Sequence, residues 1–320
     1  MSASDVDAAR PAAVLERLSF LSGEQYTMER LEGGLTNRNY RIRTRSGREY
    51  VARFAGAKTE LLSIDRDAEA YNSAVAATLG IGPRVVEYSP DHQVLVVDWI
   101  DAETCTDDDL DDPDVLARLA ATCRTLHAGP RFISDFDMFD VQTGYLQIVR
   151  ERGFRLPPDY LDFAERVDVL DEVLHRSSSG TVACHNDLLS ANIMLAERQM
   201  FLIDYEYSGN NDACFELGNI WSEADLPLDR LEHLVASYYG RPSPVAVARA
   251  RLFATMAKYG WTLWAAIQDA VSEVDFDFWA WGMEKYDRAV AEFRGPELQR
   301  LIDTITESAG KGGRSWPQSS

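Results

Sequence analysis

The chain has 320 residues, a formal net charge of -20 at pH 7, and 46% apolar and 26% charged residues. Such a length predicts two lobes rather than one core, and the composition is that of an ordinary globular protein. The acidic excess argues against nucleic acid as a partner but is compatible with a small cationic substrate. No apolar run approaches the ~20 residues that span a bilayer, and the N-terminus lacks a signal-peptide pattern, so we expect a cytoplasmic protein without a membrane partner.

The first hundred residues alternate between short apolar strands and polar turns. Three strands are predicted from their period-two pattern, at 26–31, 40–43 and 49–54. Between the first two strands, the segment GGLTN at 33–37 combines glycines with small polar residues. Glycine lets backbone N–H groups approach a phosphate, and polar side chains can add donors. We therefore predict that Gly34, Thr36 and Asn37 bind a nucleotide, although the segment taken alone fits a plain β-hairpin turn better.

The third strand carries a basic residue, Arg53, at the place where kinase-like folds have a Lys that pairs with the α- and β-phosphates. Arginine can serve there, because its guanidinium fork binds phosphate bidentately. The helix predicted at 65–79 carries Glu69 as the candidate ion-pair partner of Arg53. The alternative for Glu69 is a position on a solvated helix face.

A hinge between the two lobes is predicted near residue 100. Strands at 85–88 and 93–100 precede it, and the pattern becomes helical from Val115 onward. An adenine would bond to backbone groups of Asp98 and Ile100. We therefore expect three parts, namely a nucleotide-binding lobe at 1–100, a catalytic and substrate-binding lobe at 101–310, and a disordered tail at 311–320.

The stretch from 181 to 209 carries the clearest chemical pattern. His185 and Asp187 follow an apolar strand, Asn192 comes five residues after Asp187, and a second apolar run ends on Asp204. Phosphoryl transfer from ATP uses one Asp to orient the acceptor hydroxyl and take its proton, and an Asn and a second Asp to hold Mg²⁺. The D-x-x-x-x-N spacing is that of the protein-kinase catalytic loop. We therefore predict that Asp187, Asn192 and Asp204 are catalytic. The alternative is that His185 and Asp187 satisfy loop backbone groups and Asn192 caps a helix.

Several motifs together resemble a known family. HNDLLSANIM, IDYEYSG, GGLTNRNYRI and YVARF are similar to segments of the choline/ethanolamine kinase family, within the wider aminoglycoside-phosphotransferase group, and the resemblance covers roughly residues 25–295. It implies an α+β, bilobal protein-kinase-like fold, with a small N-terminal lobe holding an antiparallel sheet and one long helix, and a larger, mainly helical C-terminal lobe. It also implies ATP and Mg²⁺ as cofactors, Asp187 as the base, and Asn192 and Asp204 as metal ligands.

Three features resemble the choline branch more than the aminoglycoside branch. Arg53 stands where a Lys would otherwise be, the segment DYEYS at 204–208 is close to the family's D-F-E-Y-S, and GWTLWAAIQ at 260–268 is similar to its F-W-G-L-W-S-I-x-Q helix.

These matches imply a substrate pocket lined by aromatic rings. Trp261 and Trp264 match pocket residues of the family, and Trp281 falls where the family has a Tyr. A quaternary ammonium cannot donate hydrogen bonds, so aromatic faces recognise it through cation–π attraction. The alternative is that the rings form a helix–helix core. We also place Glu206 among the substrate-binding residues. Glu216 stands where the family usually has Asp, and this departure and Trp281 leave the choice of substrate open.

The sequence therefore predicts an ATP-dependent phosphotransferase that acts on the hydroxyl of a small cationic amino alcohol, most of all choline. Ethanolamine, or an aminoglycoside or another small molecule, is the alternative substrate. A kinase-like binding protein without catalysis is disfavoured, because the three predicted catalytic residues are all intact. We expect a monomer or a homodimer.

Overall fold

The computed structural model describes residues 11–56, 59–197 and 199–310 and has the two lobes expected from the sequence. The small lobe holds a five-stranded antiparallel sheet in the order β1-β2-β3-β5-β4. Its strands are β1 (Tyr26–Arg30), β2 (Asn37–Thr44), β3 (Glu49–Ala55), β4 (Val85–Ser89) and β5 (Val94–Asp98). A short helix at 11–15, α1, precedes them, and α2 (Arg66–Thr78) lies between β3 and β4. The predicted tail at 311–320 lies outside the described residues.

The two faces of this sheet are set by the alternation of side chains along each strand. In β3, Tyr50 and Ala52 point to one face and pack against a cluster that includes Leu15. The side chains of Val51 and Arg53 alternate with these and point to the other face. Val51 packs there against the cluster that includes Ala70 of α2. The predicted phosphate-binding Arg53 therefore lies on the side of the sheet that faces α2 rather than in the apolar cluster.

The start of α2 is fixed by its N-cap. The Asp65 carboxylate accepts hydrogen bonds from the backbone N–H groups of Asp67 and Ala68, both at 3.0 Å. Such a cap satisfies donors that have no partner within the helix. It sets the register that places Glu69 one turn into α2.

The large lobe consists mainly of helices around two small sheets. One sheet has the order β6-β8-β9 and the other pairs β7 with β10, with β6 (Glu103–Thr104), β7 (Val182–Cys184), β8 (Ile193–Leu195), β9 (Met200–Leu202) and β10 (Gly209–Asn211). The helices are α3 (Asp107–Leu110), α4 (Pro113–His127), α5 (Met138–Arg152), α6 (Ala164–Arg176), α7 (Ala213–Glu223), α8 (Leu228–Tyr239), α9 (Pro244–Val271), α10 (Phe278–Arg294) and α11 (Glu297–Gly310).

Helix α9, with 28 residues, is the centre of the large lobe. It is buried on all sides from Leu252 to Gln268, as expected of a helix that is apolar all round. Close approach of α7 depends on Gly218, because a Cβ there would lie 2.1 Å from the Ala250 carbonyl oxygen. No helix in the described ranges is both long and apolar enough to cross a bilayer.

Two local expectations differ from the structure. The strand predicted at 40–43 begins earlier, at Asn37, because Asn37 already pairs with Ala55 of β3. The apolar spacing of residues 11–20 also predicts a single short helix, but that helix is interrupted, and a separate 3₁₀ turn forms at Ser19–Leu21. The three-residue strand β8 and the two-residue β6 had no sequence signal, because so short a run has no readable period.

Candidate active site

One buried carboxylate, that of Glu216, fixes the backbone of the loop after β7. Backbone N–H groups of His185 and Asn186 donate to Glu216, at 2.9 and 2.7 Å. Asn186 has a left-handed backbone with φ of 67°, which a non-glycine residue adopts only when its surroundings hold it. Burial by itself would raise the pKa of Glu216, but its hydrogen bond with His127 and the nearby backbone donors lower it. Glu216 therefore stays ionised and fixes the backbone that presents Asp187.

Asp187 and Asn192 are tied to each other within this loop. The Asn192 side-chain amide donates to the Asp187 carbonyl oxygen at 2.9 Å, and the N–H of Leu188 donates to Asn219 at 2.9 Å. Burial raises the pKa of the Asp187 carboxyl well above its usual range, and repulsion from Asp204 adds to the effect. A cation near these carboxylates would lower that pKa again.

Asp204 comes two residues after the end of β9 and is joined to the same loop. The Ile203 N–H donates to the Asn192 carbonyl oxygen at 3.0 Å, and the Nε2 of His185 bonds to the Ile203 carbonyl oxygen at 2.8 Å. Asp204 also has a left-handed backbone, with φ of 70°. Two segments separated by the β8–β9 hairpin therefore hold Asn192 and Asp204 side by side.

Arg53 forms ion pairs with both lobes. Its guanidinium pairs with Asp204 of the large lobe, and it lies 3.1 Å from Glu69 of α2. Burial would lower the pKa of Arg53, but the surrounding carboxylates raise it, so the guanidinium stays charged. The structure thus places Glu69 beside Arg53, within a buried site rather than on a solvated helix face.

Thr36 and Asn37 of the glycine-rich segment donate to Glu206. Their side chains lie 2.7 and 2.8 Å from its two carboxylate oxygens. The same carboxylate lies 3.1 Å from Arg66, whose guanidinium also reaches Glu69 at 2.6 Å. Glu206 therefore lies in a network that connects the glycine-rich segment, α2 and the segment after Asp204.

A cleft of about 390 Å³ separates the two lobes, a size that suits a small-molecule ligand. Its wall includes six of the predicted site residues, namely Gly34, Arg53, Asp98, Ile100, Asn192 and Asp204. Apolar side chains form much of the remaining wall, among them Val51, Val97 and Ile203. The wall of the cleft therefore combines apolar side chains with an arginine, an amide and a carboxylate.

The inter-lobe segment contributes backbone groups to this cleft. The Asp98 N–H is already donated to the Arg84 carbonyl oxygen at 2.9 Å. The Asp98 carboxylate also takes the Arg84 guanidinium bidentately, at 2.8 and 2.9 Å. At the opposite wall, Gly34 has φ of +89°, and a Cβ there would lie 3.2 Å from the Asn37 carbonyl oxygen. A side chain at position 34 would therefore strain the turn.

The three predicted pocket tryptophans are brought together by α9 and α10. The rings of Trp264 and Trp281 meet edge to face with centroids 5.5 Å apart. Tyr207 connects Trp264 with Trp261. Its hydroxyl accepts from the Trp264 indole N–H at 2.8 Å, and its ring centroid lies 5.1 Å from that of Trp261. Trp261 and Trp264 are only 5% and 6% exposed, so these rings also belong to the core of the large lobe.

Three polar residues that support the site were not predicted from the sequence. Arg66 and Asn72 project from α2, and the Asn72 amide donates to the Ser208 hydroxyl at 2.9 Å. Glu216 was noticed only as a departure from a family pattern. A buried Asn or Glu on an otherwise apolar helix face is the signal that could have found them, because such groups need specific partners.

A small sheet lobe, a buried Arg–Glu pair, and Asn192 and Asp204 on one cleft with Asp187 bonded to Asn192 behind them define a protein-kinase-like phosphotransferase. The sequence model described as choline/ethanolamine kinase matches residues 28–232. That match covers more than half of the chain, which therefore belongs to the choline/ethanolamine kinase family and is an enzyme of that family.

Individual relatives agree with this assignment. Human ethanolamine kinase 1 is 25% identical over 305 residues, covering 83% of this chain and 67% of that protein. A solved structure of a choline/ethanolamine kinase family protein from Mesorhizobium loti is similar with a TM-score of 0.81 at 29% identity, covering 94% of this chain and 99% of that chain. Choline kinase LicA from Streptococcus pneumoniae shares the fold, with a TM-score of 0.73 at 23% identity over 88% of this chain and 98% of that chain.

Proposed function

We propose that this enzyme transfers the γ-phosphoryl group of ATP to the hydroxyl of a small cationic amino alcohol, with choline as the first candidate and ethanolamine as the second. The observation that carries the proposal is that Asn192, Asp204 and Arg53 share one cleft and that the Asn192 amide is bonded to Asp187. We also propose that residues 1–100 form the nucleotide-binding lobe and 101–310 the catalytic and substrate-binding lobe.

The nucleotide would lie with its base in the apolar part of the cleft. Since the Asp98 N–H is already used, the Asp98 carbonyl and the Ile100 backbone are the groups that we assign to the adenine. Arg53 and Gly34 line the cleft and are assigned to the phosphates. Thr36 and Asn37 donate to Glu206, so contact with a phosphate would require them to exchange that partner.

The residues present fit a magnesium ion. Asp204 and Asn192 offer a carboxylate and an amide oxygen on one cleft wall, and Mg²⁺ prefers oxygen ligands. When bound at Asp204 and Asn192, the ion would supply positive charge that stabilises the charge developing during phosphoryl transfer. The Asn192 amide N–H₂ is occupied by the Asp187 carbonyl, which leaves its Oδ1 as the atom suited to a cation.

We assign to Asp187 the role of general base. Its carboxylate accepts the proton of the substrate hydroxyl while that oxygen forms a bond to the γ-phosphorus and the bond to the ADP oxygen breaks. Glu216 fixes the loop backbone on which this carboxylate depends. Substitution of Asp187 therefore removes the proton acceptor and leaves the nucleotide cleft in place.

The aromatic cluster of Trp261, Trp264 and Trp281 is assigned to the cationic head group. Aromatic faces attract a quaternary ammonium by ~0.5–2 kcal/mol per ring, depending on desolvation. An aminoglycoside would need more acidic hydrogen-bonding groups and fewer aromatic rings. A cytoplasmic location, and a monomer or homodimer, stay predictions from the sequence.

A substrate screen tests the proposal. ATP consumption is measured with Mg²⁺ and choline, ethanolamine, other amino alcohols, aminoglycosides and uncharged alcohols of similar size, and the phosphorylated product is identified by ³¹P NMR. We expect choline to give the highest kcat/KM, and kcat to fall by ~10²–10⁴ in the Asp187→Asn variant. An uncharged alcohol that outperforms every amine would contradict the proposal.

A further inference from the structure

An ammonium group of the protein itself lies on one of the predicted pocket rings. The Nζ of Lys285, on α10, lies 4.4 Å from the centroid of the Trp281 ring and 2.6 Å from a carboxylate oxygen of Glu223. The side chains of Lys285 and Glu223 are only 6% and 7% exposed. A carboxylate beside an indole face is the combination that recognises an organic ammonium ion. Here the ammonium group of Lys285 occupies that position.

The ammonium-binding site formed by Glu223 and Trp281 adjoins the candidate substrate site. The Trp281 ring meets that of Trp264 at 5.5 Å, and Trp264 is bonded to Tyr207, three residues after Asp204. The lysine ammonium therefore lies against the aromatic cluster that is assigned to the substrate cation.

We propose that Lys285 is a specificity-determining residue that favours a methylated ammonium over a primary one. This inference rests on the proposed function. Lys285 neutralises Glu223 and covers one face of Trp281, so a substrate cation meets aromatic faces and no unpaired carboxylate. A trimethylammonium group needs no hydrogen-bond acceptor, whereas a primary ammonium there would leave its N–H groups unpaired.

Removal of the lysine would change which cation the pocket prefers. Glu223 would then be a buried carboxylate without its partner, which is a costly arrangement that a bound cation relieves. A primary ammonium relieves it better than a trimethylammonium, because it donates charge-assisted hydrogen bonds. The variant should therefore gain ethanolamine activity relative to choline.

The test compares kcat/KM for the two amines in the native enzyme and in Lys285→Met, whose side chain has a similar length. We expect the ethanolamine-to-choline ratio to rise by about tenfold or more, mainly through KM, as one gained charge-assisted hydrogen bond would give. In the double variant Glu223→Gln with Lys285→Met, the ratio should return towards the native value. Lys258→Met is the control for loss of a buried lysine, because Lys258 bonds to Glu292 at 2.8 Å rather than to Glu223, and it should change the ratio far less than Lys285→Met does.

The outcomes separate this inference from the proposed function. If the native enzyme phosphorylates neither amine, the proposed function is wrong. If it does so and folded Lys285→Met keeps the native ratio within about twofold, the inference is wrong. Should Lys285→Met fail to fold, Glu223→Gln provides a second test. It leaves the Lys285 ammonium without its carboxylate, so KM should rise for both amines while KM for ATP is unchanged, and an unaltered amine KM would overturn the inference.

Discussion

At the scale of single residues, two non-glycine positions with left-handed backbones lie in the candidate catalytic loops. Asn186 and Asp204 have φ values of 67° and 70°. Such conformations cost of order 1–3 kcal/mol and persist only where surrounding contacts hold them. The Asn186 amide donates to the Tyr207 carbonyl oxygen at 3.0 Å, and Asp204 is paired with Arg53. The strained positions are therefore the ones that determine where the Asp187 and Asp204 carboxylates lie.

Asp187→Asn should keep the fold and nucleotide binding while kcat falls by ~10²–10⁴, because the amide cannot accept the hydroxyl proton. Steady-state kinetics give kcat, and the rise in unfolding temperature on adding ATP reports nucleotide binding. Near-native phosphorylation by a well-folded Asp187→Asn would show that another group is the base.

Arg53→Ala should raise KM for ATP by roughly tenfold or more and spare KM for the amine, since it removes the guanidinium that we propose binds the phosphates. Arg53→Lys should be intermediate, because a point charge replaces the guanidinium fork. Arg43→Ala, which removes an exposed ion pair with Glu29 in the same sheet, is the matched control. Unchanged ATP kinetics in Arg53→Ala would remove Arg53 from the nucleotide site.

At the scale of elements, one helix of each lobe, α2 in the small lobe and α7 in the large lobe, bonds to the loops of the site. Helix α2 reaches the large lobe through Arg66, which pairs with Glu206, and through Asn72, which bonds to Ser208. Helix α7 supports the catalytic loop through Glu216. Each contact joins a regular element to an irregular loop, so the loop takes its position from the helix.

Glu216→Gln should lower both stability and kcat. One of the two acceptor oxygens becomes an N–H₂ group that faces a backbone N–H of His185 or Asn186, at a cost of ~1–3 kcal/mol. Urea unfolding measures the stability and steady-state kinetics measure kcat. Glu216→Asp keeps the carboxylate and should be milder in both measurements. A larger loss in Glu216→Asp than in Glu216→Gln would show that side-chain length, rather than charge, determines the loop position.

His175 makes part of the stability depend on pH. It lies between Asp137, at the start of α5, and Asp171 of α6, at 2.8 Å from the first and paired with the second. Burial opposes protonation, but these carboxylates raise the pKa of His175 above 6.5. The folded state therefore holds the proton more tightly, so the stabilisation is complete below about pH 6.5 and is lost as pH rises through the folded-state pKa.

The expected result is a fall in unfolding temperature of the native enzyme relative to His175→Gln as pH rises from about 6 to about 9. Thermal unfolding followed by circular dichroism across this range provides the measurement. A difference between the two proteins that does not change with pH would contradict the ion-pair role of His175.

At the scale of the whole molecule, the net charge of -20 acts in opposite directions on the two substrates. A negative field attracts a cationic amine and repels ATP, and added salt screens both effects. Raising ionic strength from about 0.02 to about 0.5 M should therefore raise KM for the amine and not that for ATP. Sucrose at matched viscosity is the control. Equal increases in both KM values would indicate a general effect of salt on the enzyme.

The sequence by itself determined the fold class and the short-range chemistry. Period-two alternation located the strands of the small lobe, because side chains on a strand point alternately to two faces. The spacing of Asp187 to Asn192 and the apolar run before Asp204 identified the candidate catalytic set, since one short segment carries all three. Their roles as base and metal ligands stay predictions.

Only the tertiary structure decided which polar groups distant in sequence meet in the fold. Thr36 and Asn37 bond to Glu206 about 170 residues away, and Lys285 of α10 reaches Glu223 of α7. Local patterns cannot reveal such partners, because they depend on how helices and sheets pack after the chain has folded back on itself. A buried charge needs a partner wherever packing supplies one, and the folded chain alone shows which residue that is.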